Sequence, residues 1–164
     1  MNVPNSLERQ VGQLLHARGL KLVVAESCTG GLLGSRITDV SGSSEYFLGG
    51  VVAYAYEAKV DLLGVSWDTL NAKGAVSRET VLEMARGIRH LMKAHIAISV
   101  SGIAGPGGGT PDKPVGTTWI GLVAEDREWA KVFQFSGDRE GNKISAVDAA
   151  LKLLLDYLQG NQVS

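Results

Sequence analysis

The sequence predicts an α/β fold, a three-layer α/β/α sandwich built on a mostly parallel, mixed sheet of about five strands that includes a late hairpin. Three observations carry this. Short runs of β-type apolar residues alternate with stripes at helical spacing along most of the chain. One run, Ile96 to Val100, is apolar enough to be a strand covered on both faces. Near the end, Thr117 to Ala124 and Trp129 to Phe135 are joined by Glu125-Asp126-Arg127-Glu128, which reads as a hairpin.

The elements follow in order. Asn5 and Glu8 have capping-box spacing, and Leu7, Val11, Leu14 and Leu15 form one helical stripe that ends near Gly19. A strand is expected over Leu22 to Glu26, then a tight turn and a helix to about Val40. Ser41-Gly42-Ser43-Ser44 reads as a loop, and Gly49-Gly50 as the opening of a strand over Val51 to Ala55. Glu57 to Leu63 reads as a short helix closed by Gly64, and Trp67 to Lys73 as another, capped by Ser66 and closed by Gly74. Ser77 caps a longer helix with inner stripe Val81, Met84, Ala85, Ile88 and Met92. Gly102 to Gly116 holds six glycines and three prolines, too many for regular structure. A last helix places Ile144, Val147, Leu151, Leu154, Leu155 and Leu158 on one side.

Composition narrows the class. A chain of 164 residues reads as a single domain over 1–164, able to bury roughly 70% of its unfolded surface. The 45% hydrophobic and 20% charged fractions are those of a soluble globular protein. A net charge of −1 gives no reason to expect a nucleic-acid or membrane-surface partner. One cysteine cannot form an internal disulfide, no apolar run reaches membrane-span length, and Met1-Asn2-Val3-Pro4 lacks signal-peptide character. A cytoplasmic location is the expectation.

The stretch Val23-Val24-Ala25-Glu26-Ser27-Cys28-Thr29-Gly30-Gly31 reads as strand, turn and helix start. Such a junction offers free amides and the positive end of a helix dipole, with two hydroxyls and a thiol beside them. Taken alone it reads first as an N-cap, since Ser and Thr before a helix mostly satisfy amides. In an open α/β sheet, ligands sit beyond the carboxyl ends of strands, where loops 26–31, 54–59 and 101–117 would converge.

Several chemistries lack their residues. There is no G-x-x-x-x-G-K-[ST], and the glycine loop from Gly102 to Gly109 neither fits G-x-G-x-x-G nor precedes a helix. His16, His90 and His95 make no metal-binding pair, and no Ser-His-Asp triad is indicated. No metal and no cofactor is expected. A serine can instead be activated by a desolvated, neutral lysine, and Lys59, soon after the Val51–Ala55 run, is the best candidate to reach Ser27. Most lysines are solvent-exposed, which is the plain alternative. Tyr54 offers a phenol at the same edge. Cys28 is the rival nucleophile, ranked lower because no His partner is evident. Arg139 and Lys143, four apart on the last helix, share a face and suit a phosphate or a solvated basic turn.

These stretches resemble the CinA C-terminal-domain family, whose stand-alone members are nicotinamide-nucleotide amidases. The resemblance rests on Ala25-Glu26-Ser27-Cys28-Thr29-Gly30-Gly31, Gly49-Gly50-Val51-Val52, Glu57-Ala58-Lys59, Gly74-Ala75-Val76-Ser77, Ser101-Gly102-Ile103-Ala104-Gly105-Pro106-Gly107-Gly108, Lys113-Pro114-Val115-Gly116-Thr117 and Ser136-Gly137-Asp138-Arg139. It implies hydrolysis of nicotinamide mononucleotide to nicotinate mononucleotide and ammonia by a Ser–Lys pair without metal. Ser27 falls on the nucleophile position, Lys59 on the base and Tyr54 on the site tyrosine. Gly102, Ile103, Ala104, Gly105 and Thr117 fall in the substrate-binding loop region, and Arg139 near the phosphate. The turn residues Cys28, Thr29, Gly30 and Gly31 would hold the substrate through their amides, with Lys143 beside Arg139 on its phosphate. The family tends to self-associate, so a homo-oligomer is expected, with the apolar last helix as one available face.

Two positions depart from the pattern. The family's Tyr-Ser-Asn-Glu-Ala-Lys reads Tyr54-Ala55-Tyr56-Glu57-Ala58-Lys59, placing a phenol where an amide usually stands. The family's Val-Arg reads Asn142-Lys143, which keeps the charge and loses the bidentate fork. An altered or narrowed pocket is the expectation, and a nucleotide-binding module with little turnover is the alternative function.

Overall fold

The computed structural model describes residues 5–161; the Met1–Pro4 segment considered above lies outside them. Five strands form one open sheet in the order β2-β1-β3-β4-β5. The strands are β1 (Leu22–Glu26), β2 (Phe47–Val52), β3 (Ile96–Gly102), β4 (Thr117–Ala124) and β5 (Glu128–Gln134). β1 pairs in parallel with β2 and β3, while β3–β4 and β4–β5 are antiparallel. The late hairpin and the mixed sheet are therefore as expected.

Six α-helices cover the sheet: α1 (Leu7–Arg18), α2 (Leu32–Thr38), α3 (Tyr56–Leu63), α4 (Trp67–Lys73), α5 (Arg78–Met92) and α6 (Arg139–Leu158). Side chains alternate across a strand, and this sorts the core in two. Leu22, Val24, Ile96 and Ile98 pack with α1, α2 and α6. Val23, Ala25 and Ala97 pack with α3, α4 and α5. β1 and β3 are covered on both faces, which is why their sequences are almost wholly apolar.

Three local expectations are corrected. The Asn5–Glu8 capping box does not form. Ser6 is the N-cap and makes no side-chain cap bond, while Glu8 accepts from Arg36 at 2.9 Å instead, a charge-assisted bond stronger than a neutral cap. β2 begins at Phe47 and includes both glycines rather than starting after them. A Cβ at Gly50 would overlap Val24, so glycine is what lets this edge strand lie close against β1. The chain then leaves the sheet at Ala53, so Tyr54 and Ala55 belong to the loop before α3. Finally, the apolar side of α6 packs inward except at Ile144, which is exposed. Val147, Ala150, Leu151, Leu154 and Leu158 are buried in the core.

Candidate active site

Three loops leave the same end of the sheet, after β1, β2 and β3. The first holds Ser27, whose amide donates to the Val100 carbonyl at 2.9 Å and pins the turn to β3. Gly30 and Gly31 have φ of 59° and 102°, a left-handed conformation that turns the chain into α2 at low steric cost.

The second loop delivers Lys59. It is fully buried, on the second turn of α3, and its ammonium nitrogen lies 2.9 Å from Ser27 Oγ. The same nitrogen donates to the carbonyls of Ala53 at 2.8 Å and Tyr54 at 3.2 Å. Burial pushes its pKa down from 10.5 to about 8, against a smaller opposing effect of the neighbouring Cys28 thiol. With two N–H groups spent on the two carbonyls, a neutral amine has its lone pair left for the Ser27 hydroxyl. That is the arrangement of a general base.

Cys28 is buried beside Ser27, and burial raises its thiol to about 11 against the amides of Gly102 and Cys28 itself. A thiol held protonated is a poor nucleophile, so the geometry and the electrostatics both favour Ser27.

Ser27, Cys28, Tyr54, Lys59, Gly102, Ala104 and Arg139 line one cavity of about 210 Å³, joined by Ala75, Val76 and Ser101. Seven expected site residues thus meet in one place. Arg139 spans the mouth: its guanidinium donates to the Gly105 carbonyl at 2.7 Å and to the Tyr54 hydroxyl at 3.0 Å. Tyr54 is 59% exposed, so its phenol sits at the rim while its carbonyl reaches Lys59.

Other expected residues stand apart from this cavity. Lys143 lies next door, with Leu32, Arg139, Glu140 and Ile144 around a space of about 400 Å³. It is half-buried and close to Gly30, and its ammonium makes no hydrogen bond or ion pair among the described residues. Ile103 and Thr117 hold the glycine loop to itself: Ile103 exchanges backbone bonds with Thr117 and Gly116. The Thr117 hydroxyl lies 2.6 Å from the Pro114 carbonyl and 2.9 Å from Gln134 Oε1. Thr29 is buried and donates its hydroxyl to the Glu26 carboxylate at 2.6 Å. Neither Thr29 nor Thr117 faces the cavity, and both serve the loops that do.

The two departures also have structural roles. Asn142, 3% exposed, accepts from the Gly137 amide at 2.9 Å and donates to the Ala104 carbonyl at 3.0 Å. It ties α6 to the glycine loop. Tyr56 does not line the cavity; its hydroxyl accepts from the Ala75 amide at 3.3 Å, and its ring leans on Trp67 at 6.3 Å. The phenol thus stands behind the cavity wall, bonded to Ala75, which lines it.

Glu26, Ser101 and the Ala75–Val76 wall are not among the residues that the sequence marks as functional. Ser101 had a legible signal. It is a buried polar residue at the carboxyl end of a strand covered on both faces.

Comparison with known proteins identifies the family. The family model of the CinA C-terminal domain matches residues 4–158. The chain belongs to the CinA C-terminal domain family. It is 53% identical over 159 residues to a CinA-like protein of Chlorobaculum tepidum, covering 94% of this chain and 38% of that one. A CinA-like protein of Chlorobium limicola is 48% identical over the same length, 94% of this chain and 37% of its own. The chain thus spans less than two fifths of these curated relatives. Among solved structures, the competence damage-inducible protein A of Klebsiella pneumoniae superposes with a TM-score of 0.91 at 40% identity, covering 95% of this chain and 97% of that one. CihA of Agrobacterium tumefaciens gives 0.90 at 36%, covering 97% and 99%. Among the described residues no helix is long and apolar enough to cross a membrane.

Proposed function

We propose that this CinA-family protein is an amidohydrolase that converts nicotinamide mononucleotide to nicotinate mononucleotide and ammonia. The observation that supports it most is the buried Lys59 amine, 2.9 Å from Ser27 Oγ with its remaining hydrogens held by two carbonyls. The substrate is what the family resemblance implies.

In this reading neutral Lys59 accepts the Ser27 proton as Oγ attacks the carboxamide carbon. Of the turn residues after Ser27, Cys28 lines the cavity and its amide meets no acceptor oxygen among the described residues; in this reading that amide donates to the oxyanion. One such donor is worth roughly 3–4 kcal/mol in other acyl-transfer enzymes. The Lys59 ammonium returns its proton to the amine as the C–N bond breaks, and ammonia leaves. Water, deprotonated by the same lysine, then attacks the acyl-serine and frees the carboxylate. Lys143, a half-buried cation whose ammonium meets no partner among the described residues, suits the 5′-phosphate. Arg139 reaches the same phosphate by releasing Tyr54 or Gly105.

The test is ammonia release by purified protein across a panel of pyridine and nucleotide amides. Turnover of nicotinamide mononucleotide in preference to the free base supports the proposal. Tight nucleotide binding without ammonia contradicts it and selects a binding module.

A further inference from the structure

We propose that Glu26 is a positioning residue for Ser27: its buried carboxylate fixes the 27–31 turn so that the serine oxygen and the turn amides face one reacting carbon. The proposal rests on Ser27 being the nucleophile and is independent of which amide is cleaved.

Glu26 is only 2% exposed, and its carboxylate is saturated. It accepts from the Thr29 hydroxyl at 2.6 Å, the Leu33 amide at 2.8 Å and the Gly34 amide at 3.0 Å. A buried carboxylate is tolerated only with such partners. The N-cap of α2 is Gly31, which has no side chain to cap with. The cap therefore comes from five residues upstream, from the residue covalently next to the nucleophile. Any shift of this carboxylate moves Ser27 by way of a single peptide unit.

The bonds close on both sides of the serine. Behind it, Glu26 ends β1 and its carbonyl accepts from the Ala53 amide at 2.8 Å. Ahead of it, the Gly30 amide donates to the Ser27 carbonyl at 3.1 Å, and the Leu32 amide to the Thr29 carbonyl at 3.0 Å. The Leu33 and Gly34 amides are taken by Glu26, whereas those of Cys28, Thr29 and Gly31 meet no acceptor oxygen among the described residues. The carboxylate thus occupies the place where an external anion would meet α2 and leaves the Cys28 amide, at the cavity wall, to the reacting oxygen. Glu26 reaches toward α2, whereas Lys59 approaches Ser27 from α3 on the other face of the sheet. Its charge therefore acts on the turn and not on the base.

Glu26→Gln keeps the shape but turns an amide NH₂ toward an N–H donor; Thr29→Val removes one bond and keeps the volume. The full chain is assayed well below its melting temperature in two ways. One is kcat and KM for ammonia release; the other is the second-order rate of Ser27 labelling by a fluorophosphonate, which needs the nucleophile and the oxyanion donors but no natural substrate. The expected result for Glu26→Gln is a kcat and a labelling rate about 10-fold or more lower, with KM within about 2-fold and the pH midpoint unmoved. Thr29→Val follows in the same direction by about 3-fold, and decides the matter if Glu26→Gln does not fold. Wild-type kcat and labelling per folded molecule, with loss confined to melting temperature, would overturn the proposal. So would a change in KM alone or a displaced pH midpoint. Wild-type protein that labels at Ser27 yet releases no ammonia removes the substrate reading only, and the labelling ratio still decides. Protein that does neither overturns both.

Discussion

Lys59 Nζ sits 2.9 Å from Ser27 Oγ, and the lysine is fully buried. Two carbonyls, of Ala53 and Tyr54, take its other hydrogens. Burial favours the neutral amine, while three acceptors around one nitrogen favour the ammonium. The net result, a pKa lowered to about 8, leaves a useful fraction of base near neutral pH. Full desolvation without those carbonyls would leave a weaker base.

The same shift fixes a dependence of stability on pH. Because the folded-state pKa lies below 10.5, the unfolded chain binds more protons between about pH 8 and 10.5. This group's destabilising contribution, about 3 kcal/mol, is complete below pH 8 and fades as pH rises to 10.5. Wild-type stability minus that of Lys59→Met should therefore increase with pH across this window in denaturant titrations. A constant difference would contradict a buried, depressed lysine.

Cys28→Ala should retain activity within a few-fold. The thiol is buried and raised to about 11, so iodoacetamide should react far more slowly than with an ordinary surface cysteine. Loss of turnover in Cys28→Ala by about 100-fold or more, at the scale of a lost nucleophile or oxyanion donor, would return the nucleophile role to the thiol.

How much of this was legible in the sequence depends on the range of each interaction. The two-sided strands and the hairpin follow from apolar runs; loops leaving one end of the sheet make Lys59 a candidate to meet Ser27, and the family resemblance supplies their pairing. The start of β2 was missed because Gly49 and Gly50 read as turn residues. Their role is a close approach to Met92 and Val24, contacts made by residues distant in sequence. Thr29 read as a ligand for substrate, and its hydroxyl is taken by Glu26, a residue whose burial no local pattern announces. Glu8 likewise left its capping box for Arg36, 28 positions away.

Asn142→Leu should lower stability by about 2–4 kcal/mol, since it orphans the Gly137 amide and the Ala104 carbonyl together. In a chain of this size that is a melting temperature lower by about 5–15 °C. Because Ala104 lines the cavity, KM should rise as well. An unchanged melting temperature would show that α6 and the glycine loop are held by other contacts.

Tyr54→Phe removes the hydroxyl that accepts from Arg139 at the rim and leaves the carbonyl that holds Lys59. KM should change by about 3-fold or more with kcat within about 2-fold, as for a group that binds substrate and transition state alike. A fall confined to kcat would place the phenol in proton transfer.

The most direct test of the Ser27–Lys59 base is ammonia release from nicotinamide mononucleotide, followed from about pH 6 to about pH 10 in wild type, Ser27→Ala and Lys59→Met. The prediction is a wild-type kcat/KM that climbs tenfold per pH unit and levels near pH 8, where Lys59 loses its proton. Both variants should fall by about 1,000-fold or more at every pH. Substantial turnover by either variant, or a wild-type profile flat through pH 8, would contradict it.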